Sequence, residues 1–77
     1  MKTFLMFSNG DQYEGEWVRG MKQGHGTMKY NDGTIYDGQW RDDTFNGQGS
    51  IVHISGMLYE GIWIAGRPGG KLKILYY

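Results

Sequence analysis

The chain has 77 residues, with eight acidic and eight basic side chains and no formal net charge at pH 7. This balance argues against general nucleic-acid binding, which needs a basic surface, and the lack of cysteine excludes disulfides and thiolate metal sites. We predict one small domain over 1–77, near the size at which a single core barely offsets chain entropy.

The first seven residues resemble a signal peptide only superficially. The apolar run at 4–7 is short, and polar turn residues follow it at once. Leu5 and Phe7 also keep the phase of a repeat that runs through the chain, so we predict a strand here rather than a leader. No stretch approaches transmembrane length, and the absence of cysteine suits a reducing compartment. We therefore expect a cytoplasmic protein.

Turn residues divide the chain into short extended segments. Asn, Asp, Ser and Gly cluster at 8–10, 31–33 and 55–56, where they favour tight hairpin turns between β-forming residues. Longer connections at 20–26 and 43–49 join one hairpin to the next, and no segment shows helical periodicity. The predicted strands cover 2–7, 12–18, 26–30, 34–41, 49–54, 57–64 and 71–76. The fold class is all-β, an antiparallel meander.

The dominant pattern is Tyr-x-Gly-x-Trp, which occurs three times with a constant period of 23 residues. The copies begin at Tyr13, Tyr36 and Tyr59, and a half repeat over 2–12 precedes them. Accessory glycines keep the same phase. A fixed period of this length indicates one supersecondary unit stacked in a row, so function belongs to the array rather than to one residue.

Side-chain parity predicts an aromatic face on this sheet. Alternate residues of a strand share a face, so Tyr13, Gly15 and Trp17 point the same way, and the glycine leaves a gap between two rings. The opposite face is polar in the first two copies but carries Ile62 and Ile64 in the third. We infer that the C-terminal end of the array is covered on both faces, by its own tail or by a partner. The candidate protein-binding residues are Tyr13, Trp17, Tyr36, Trp40, Tyr59, Trp63, Ile62 and Ile64.

The pattern Tyr-x-Gly-x-Trp-x-x-Gly, followed by Gly-x-Gly and a turn glycine, resembles the MORN repeat. Asp43 in the second copy replaces the glycine found at Gly20, and Leu72 in the third replaces the second glycine of Gly-x-Gly. We therefore expect the third copy to be a terminal cap with altered geometry. The first copy fits the motif at Tyr13, Gly15, Trp17, Gly20, Gly24, His25, Gly26 and Gly33.

The resemblance covers 13–77 directly and 4–10 as the end of a preceding repeat, and the length is similar to that of small MORN-only proteins of ciliated eukaryotes. It implies an elongated, curved single-layer sheet that acts as a scaffold and holds partner proteins in its groove. It also implies possible self-association and a place in ciliary, axonemal or cytoskeletal assemblies. Some members are linked to phosphoinositides or membranes. The repeat itself carries no catalysis.

Two interpretations of the rings remain open. They pack only against each other as the core of the array, or they also line a groove for a partner. A single-layer sheet has no second layer to cover its apolar face, and an exposed aromatic row usually marks an interaction surface. We therefore predict a protein-binding groove for a helical or extended segment. Sheet edges offer a second route, self-association, which Lys71 and Lys73 oppose on the terminal strand.

We predict no catalytic residues, no metal site and no cofactor. His25 lies between two motif glycines and His53 replaces a strand aromatic, so both have structural roles. The serines lie in no nucleophile motif, and Asp37, Asp42 and Asp43 suit a solvated face better than a cation site.

The alternative function is a peripheral membrane module that binds anionic phospholipids. Its candidate contacts are Arg19, Lys22, Arg41, Arg67 and Lys71, which flank the connections between hairpins. Nearby acidic residues offset them, and stable anchoring needs several clustered basic residues or a lipid chain. We therefore favour a protein adaptor.

Overall fold

The computed structural model describes residues 2–76, which form one open antiparallel sheet. Each strand pairs with the next in chain order, so the sheet is a meander and does not close into a barrel. This confirms the predicted all-β, single-layer class. The seven strands are β1 (Lys2–Met6), β2 (Gln12–Val18), β3 (Met21–Lys29), β4 (Ile35–Arg41), β5 (Thr44–Val52), β6 (Leu58–Ile64) and β7 (Arg67–Leu75).

The predicted connections at 20–26 and 43–49 are wrong, because β3 and β5 already begin at Met21 and Thr44, and β7 begins at Arg67. Two-residue turns join β2 to β3, β4 to β5 and β6 to β7. Both central residues of each turn have positive φ, as in type I′ hairpins. The turn pairs are Arg19-Gly20, Asp42-Asp43 and Ala65-Gly66. None of them is the Asn-Gly or Asp-Gly pair that marks such a turn in a sequence.

Bulges inside the strands explain why these segments resembled loops. Gly15 of β2 pairs with Gly26, whereas Trp17 pairs with Lys22, so β3 fits more residues than β2 into this interval. Gly24 lies in the bulge at φ 67°, a left-handed conformation that glycine adopts without strain. The same shift recurs between β4 and β5 and between β6 and β7. The glycines therefore bend strands instead of ending them.

The three predicted hairpin turns are confirmed, and they lie at the other ends of the strands, between β1 and β2, β3 and β4, and β5 and β6. The amides of Gly10, Gly33 and Gly56 each donate to the carbonyl three residues earlier, at 2.8–3.0 Å. These turns set the register of the array, because the same bond recurs once in each repeat.

One face of the sheet holds all six predicted rings, and we call it the aromatic face; the other is the polar face. Cross-strand pairing aligns the tyrosines in one row and the tryptophans in another, with a row of glycines between them. The aromatic face predicted from the sequence is thus confirmed, and the structure adds the glycine row. Its members are Gly15, Gly26, Gly38, Gly49 and Gly61.

The tyrosine rings lie across the glycine row. A Cβ atom on Gly26 would stand 2.5 Å from Cζ of Tyr13, so a side chain there would displace the ring. The Tyr13 hydroxyl donates to the carbonyl of Glu16 at 2.7 Å, on the far side of the row. Tyr36 repeats this arrangement, and both tyrosines have no exposed surface. The motif glycines are therefore required by the ring that covers them.

The tryptophans of the second and third copies each bind the repeat before their own. Nε1 of Trp40 donates to the carbonyl of Gly26 at 3.0 Å, and Nε1 of Trp63 donates to that of Gly49 at 2.9 Å. The Trp40 ring also meets the Tyr13 ring edge-on, with centroids 5.6 Å apart. The buried core is consequently shared between repeats. It consists of Tyr13, Met28, Tyr36, Trp40 and Trp63.

The third copy departs from this geometry, as expected. Leu72 stands opposite Gly61 where a second glycine would be. The Tyr59 hydroxyl donates to Sδ of Met57 at 3.8 Å, whereas the other two motif tyrosines donate to the carbonyl three residues further on. Within residues 67–76, the chain's own tail does not cover the polar face, contrary to one predicted alternative. Residues 67–75 instead form β7, which pairs with β6 and extends the sheet by one strand.

Candidate binding surface on the aromatic face

The structure separates the eight candidate residues by face and by depth. Trp40 and Trp63 lie in the core with the first two tyrosines, whereas Trp17 and Tyr59 are only half-buried. Ile62 and Ile64 lie on the polar face, 47% and 56% exposed, and do not join the rings. The rings therefore form the core of the sheet first, and any binding surface is what they leave open.

That open surface is a groove of about 330 Å³ on the aromatic face. Its walls are mainly apolar and aromatic, and one ion pair lies among them, a composition typical of ligand sites. The groove spans the boundary between the first and second repeats. The lining residues are Lys22, Met28, Tyr30, Trp40, Asp43, Thr44, Phe45 and Gly66.

Phe45 forms the rigid floor of the groove, although it is not among the eight residues predicted from the sequence. Its ring stacks on Tyr36, with centroids 3.9 Å apart and planes 9° from parallel. It also meets Trp40 and Trp63 edge-on, at 5.0 and 5.9 Å. The sequence pattern places Phe45 in the predicted connection at 43–49, and the repeat period aligns it with Lys22 in the predicted connection at 20–26, so the period gives no sign of a strand there.

Lys22 and Asp43 form the ion pair in the groove. The Asp43 Oδ1 atom accepts the Lys22 amide at 2.8 Å and its Nζ at 3.3 Å, and the Asp43 amide donates to the Lys22 carbonyl at 3.1 Å. The Lys22 side chain is 14% exposed and that of Asp43 42%. The carboxylate thus explains why Asp43 replaces the motif glycine despite its positive φ.

The Lys22 ammonium also lies over aromatic rings. Its distances to the centroids of Trp40, Phe7, Tyr13 and Trp17 are between 5.3 and 5.8 Å, within the range of cation–π attraction. The side chain therefore turns onto the aromatic face and away from the sheet edge.

Three other predicted lipid contacts, Arg19, Arg41 and Arg67, do not line the groove. Arg19 follows β2, Arg41 ends β4 and Arg67 begins β7, so all three lie at the strand ends that carry the two-residue turns. The turn between β4 and β5 consists of Asp42 and Asp43. Basic and acidic side chains are therefore interspersed there.

The buried tyrosines act as fixed hydrogen-bond donors. Burial, assisted by the nearby Asp37 carboxylate, raises the pKa of Tyr36 to about 12. Burial also raises the pKa of Tyr13, followed by the charges of Glu16 and Asp43. Both phenols stay protonated at neutral pH, so their hydroxyls hold backbone carbonyls.

The polar face has a shallow hollow of about 190 Å³ beside His25 and Asp37. Nε2 of His25 lies 3.1 Å from Oδ1 of Asp37, and both side chains are more than half exposed. Among residues 2–76, no cluster of three or more His, Asp or Glu side chains is placed to hold a metal ion. Within that same range, no helix has the length and apolar character needed to cross a bilayer.

Comparison with known proteins agrees with this geometry. The MORN repeat model matches residues 13–35, 36–57 and 59–71, which together make up more than half of the chain. No curated protein matches the chain significantly. MORN repeats are non-enzymatic modules that interact with proteins or membranes. With three matched segments that share one buried core, this chain belongs to the MORN-repeat family.

Proposed function

We propose that this protein is a non-enzymatic adaptor or scaffold subunit that binds a segment of a partner protein in the groove of its aromatic face. The groove itself carries the proposal. It opens beside the core of a single-layer sheet, and its floor is a rigid cluster of rings. Aromatic anchors in a preformed site bind with little loss of conformational entropy.

The occupant in this proposal is a helical or extended segment, laid across the boundary between the first two repeats. Tyr30, Trp40 and Phe45 provide apolar contacts over a short distance, as a groove for an amphipathic segment requires. Self-association through the outer strands β1 and β7 is a further part of the proposal. We place the assembly in the cilium, axoneme or cytoskeleton on family membership alone.

Two surface variants test the groove directly. Thr44→Arg adds a long charged side chain at a residue that lines the groove beside the turn, and Gln39→Arg makes the same change at a residue that lines the hollow on the polar face. Both positions are exposed, so neither change disturbs the core. Affinity purification from native cells, with crosslinking mass spectrometry, should capture a stoichiometric partner with wild type and Gln39→Arg but lose it with Thr44→Arg.

Equal capture by both variants would show that the partner binds elsewhere on the sheet. Vesicle pelleting with and without phosphoinositide tests the alternative that the chain binds anionic phospholipids. Recovery in a membrane fraction, with no stoichiometric protein partner, would replace the adaptor proposal with the membrane module.

A second test compares two tryptophans of the array. Trp40→Ala should weaken partner binding more than Trp17→Ala, because Trp40 lies in the groove wall and central anchors are better desolvated than peripheral ones. Both variants must first be shown to be folded by circular dichroism at the temperature of the binding assay. Equal affinities for the two folded variants would limit the tryptophans to a structural role.

A further inference from the structure

One position of the aromatic face differs in chemistry from repeat to repeat. Lys22, Phe45 and Pro68 are one period apart, and each pairs in register with the motif tryptophan of its own repeat. Phe45 fills its place by stacking on Tyr36. Lys22 puts an ammonium among rings at the equivalent place. The groove therefore has a hydrophobic side at Phe45 and a cationic side at Lys22.

The Lys22 ammonium has more donors than its surroundings use. A lysine ammonium carries three N–H groups, and among residues 2–76 its hydrogen bond is the long one to Oδ1 of Asp43, at 3.3 Å. The rings around it attract the charge but accept no strong hydrogen bond. A segment seated in the groove would remove the remaining water from Nζ, and a buried charge without acceptors is costly.

We propose that the segment bound in the groove carries an acidic side chain that accepts hydrogen bonds from Nζ of Lys22. The proposal rests on the groove being the binding site proposed above. A carboxylate has two oxygens for the two unused N–H groups, and charge-assisted bonds are the stronger ones. A basic side chain would meet the ammonium, and Oδ1 of Asp43 already accepts two bonds from Lys22.

The neighbouring walls define the rest of the ligand. Met28, Tyr30 and Phe45 line the groove beside the ion pair and suit a large apolar side chain. The partner segment is therefore an acidic peptide in which Asp or Glu lies near an aromatic or aliphatic anchor. This chemistry is specific to the first repeat boundary, because the equivalent positions are Phe45 and Pro68 in the next two.

A random peptide library displayed on phage is the probe, selected against three forms of the full chain. These are wild type, Lys22→Met and Lys29→Met. Methionine keeps an unbranched stem without charge, and the Lys22 amide still reaches Asp43. Lys29 lies on the same strand but is exposed on the polar face, so Lys29→Met gives the same change in net charge away from the groove.

Wild type and Lys29→Met should enrich peptides with an acidic residue beside an apolar anchor, and Lys22→Met should lose that acidic preference. A selected peptide should bind Lys22→Met about 10- to 100-fold more weakly in fluorescence anisotropy, the range of a charged hydrogen bond. Changing its acidic residue to the matching amide should weaken binding to wild type but have little effect on Lys22→Met.

Three results would overturn the proposal. Peptides without an acidic preference that bind all three forms equally and compete at the groove would leave the adaptor function intact and remove the role of Lys22. Enrichment of basic peptides, lost in Asp43→Asn, would assign recognition to Asp43. Peptides whose binding is unaffected by Thr44→Arg would refute the groove itself, and with it both proposals.

Discussion

Replacing Gly49 by alanine tests whether the tyrosine that covers the glycine row holds the sheet together. A Cβ atom there would stand 2.6 Å from Cζ and 2.7 Å from Cε1 of Tyr36, both far inside normal contact distance. The ring is fully buried and its hydroxyl is bonded to the Gln39 carbonyl at 2.8 Å. An added Cβ therefore displaces the ring and disturbs its stacking on Phe45.

The structure gives a magnitude for this change. Overpacking a core costs about 1–3 kcal/mol, and loss of the Tyr36 hydrogen bond adds about 1 kcal/mol. We therefore expect Gly49→Ala to lower the free energy of unfolding by about 2–4 kcal/mol. A domain of this size has about 4–12 kcal/mol in total, so the change removes a large share.

Gly70→Ala is the matched control. Gly70 lies in β7 with no atom within 4 Å of an added Cβ, so the expected change is within about 0.5 kcal/mol. Urea unfolding followed by tryptophan fluorescence measures both variants. With a denaturant slope of about 1 kcal/mol per M, the Gly49→Ala midpoint should fall by about 2 M or more. A similar small shift for both variants would refute the role assigned to the glycine row.

Two further predictions concern pH and the Asp43 turn. The pKa of Tyr36 is raised to about 12 from 10.0, so the folded chain keeps a proton that the unfolded chain releases. Stability is then complete below about pH 10 and falls as pH rises through about 12; alkaline unfolding curves should show this, with a shallower fall in Tyr36→Phe. Asp43 has φ 69°, so Asp43→Ala keeps the strain and should be about 1 kcal/mol less stable than Asp43→Gly in thermal unfolding. Equal stabilities would show that the turn relaxes.

The period of the motif was sufficient to predict the meander and the aromatic face. These features depend on alternation along a strand, which a single sequence displays directly. The starts of β3, β5 and β7 were missed, because bulged strands rich in glycine resemble loops and because Arg19-Gly20 and Ala65-Gly66 are uncommon type I′ pairs.

The sequence predicted a groove on the aromatic face but not the residues that line it. Its position between repeats depends on Phe45 and on the Lys22 side chain crossing to the aromatic face. Lys22 was instead grouped with the basic residues that flank the connections between hairpins. Its contact with Asp43 joins residues 21 positions apart, and such pairing follows from the register across three strands rather than from local sequence.

The indole bonds make the physical unit of this sheet different from its sequence unit. Trp40 belongs to the second motif but is anchored on Gly26 of the first, and Trp63 is anchored on Gly49 in the same way. A substitution of the tryptophan in one motif therefore also removes a hydrogen bond from the repeat on its N-terminal side. If whole repeats were exchanged between such arrays, each foreign repeat would have to fit its predecessor's tyrosine and glycine carbonyl. The fit between neighbouring repeats, rather than the packing within each repeat, would decide which hybrid arrays fold.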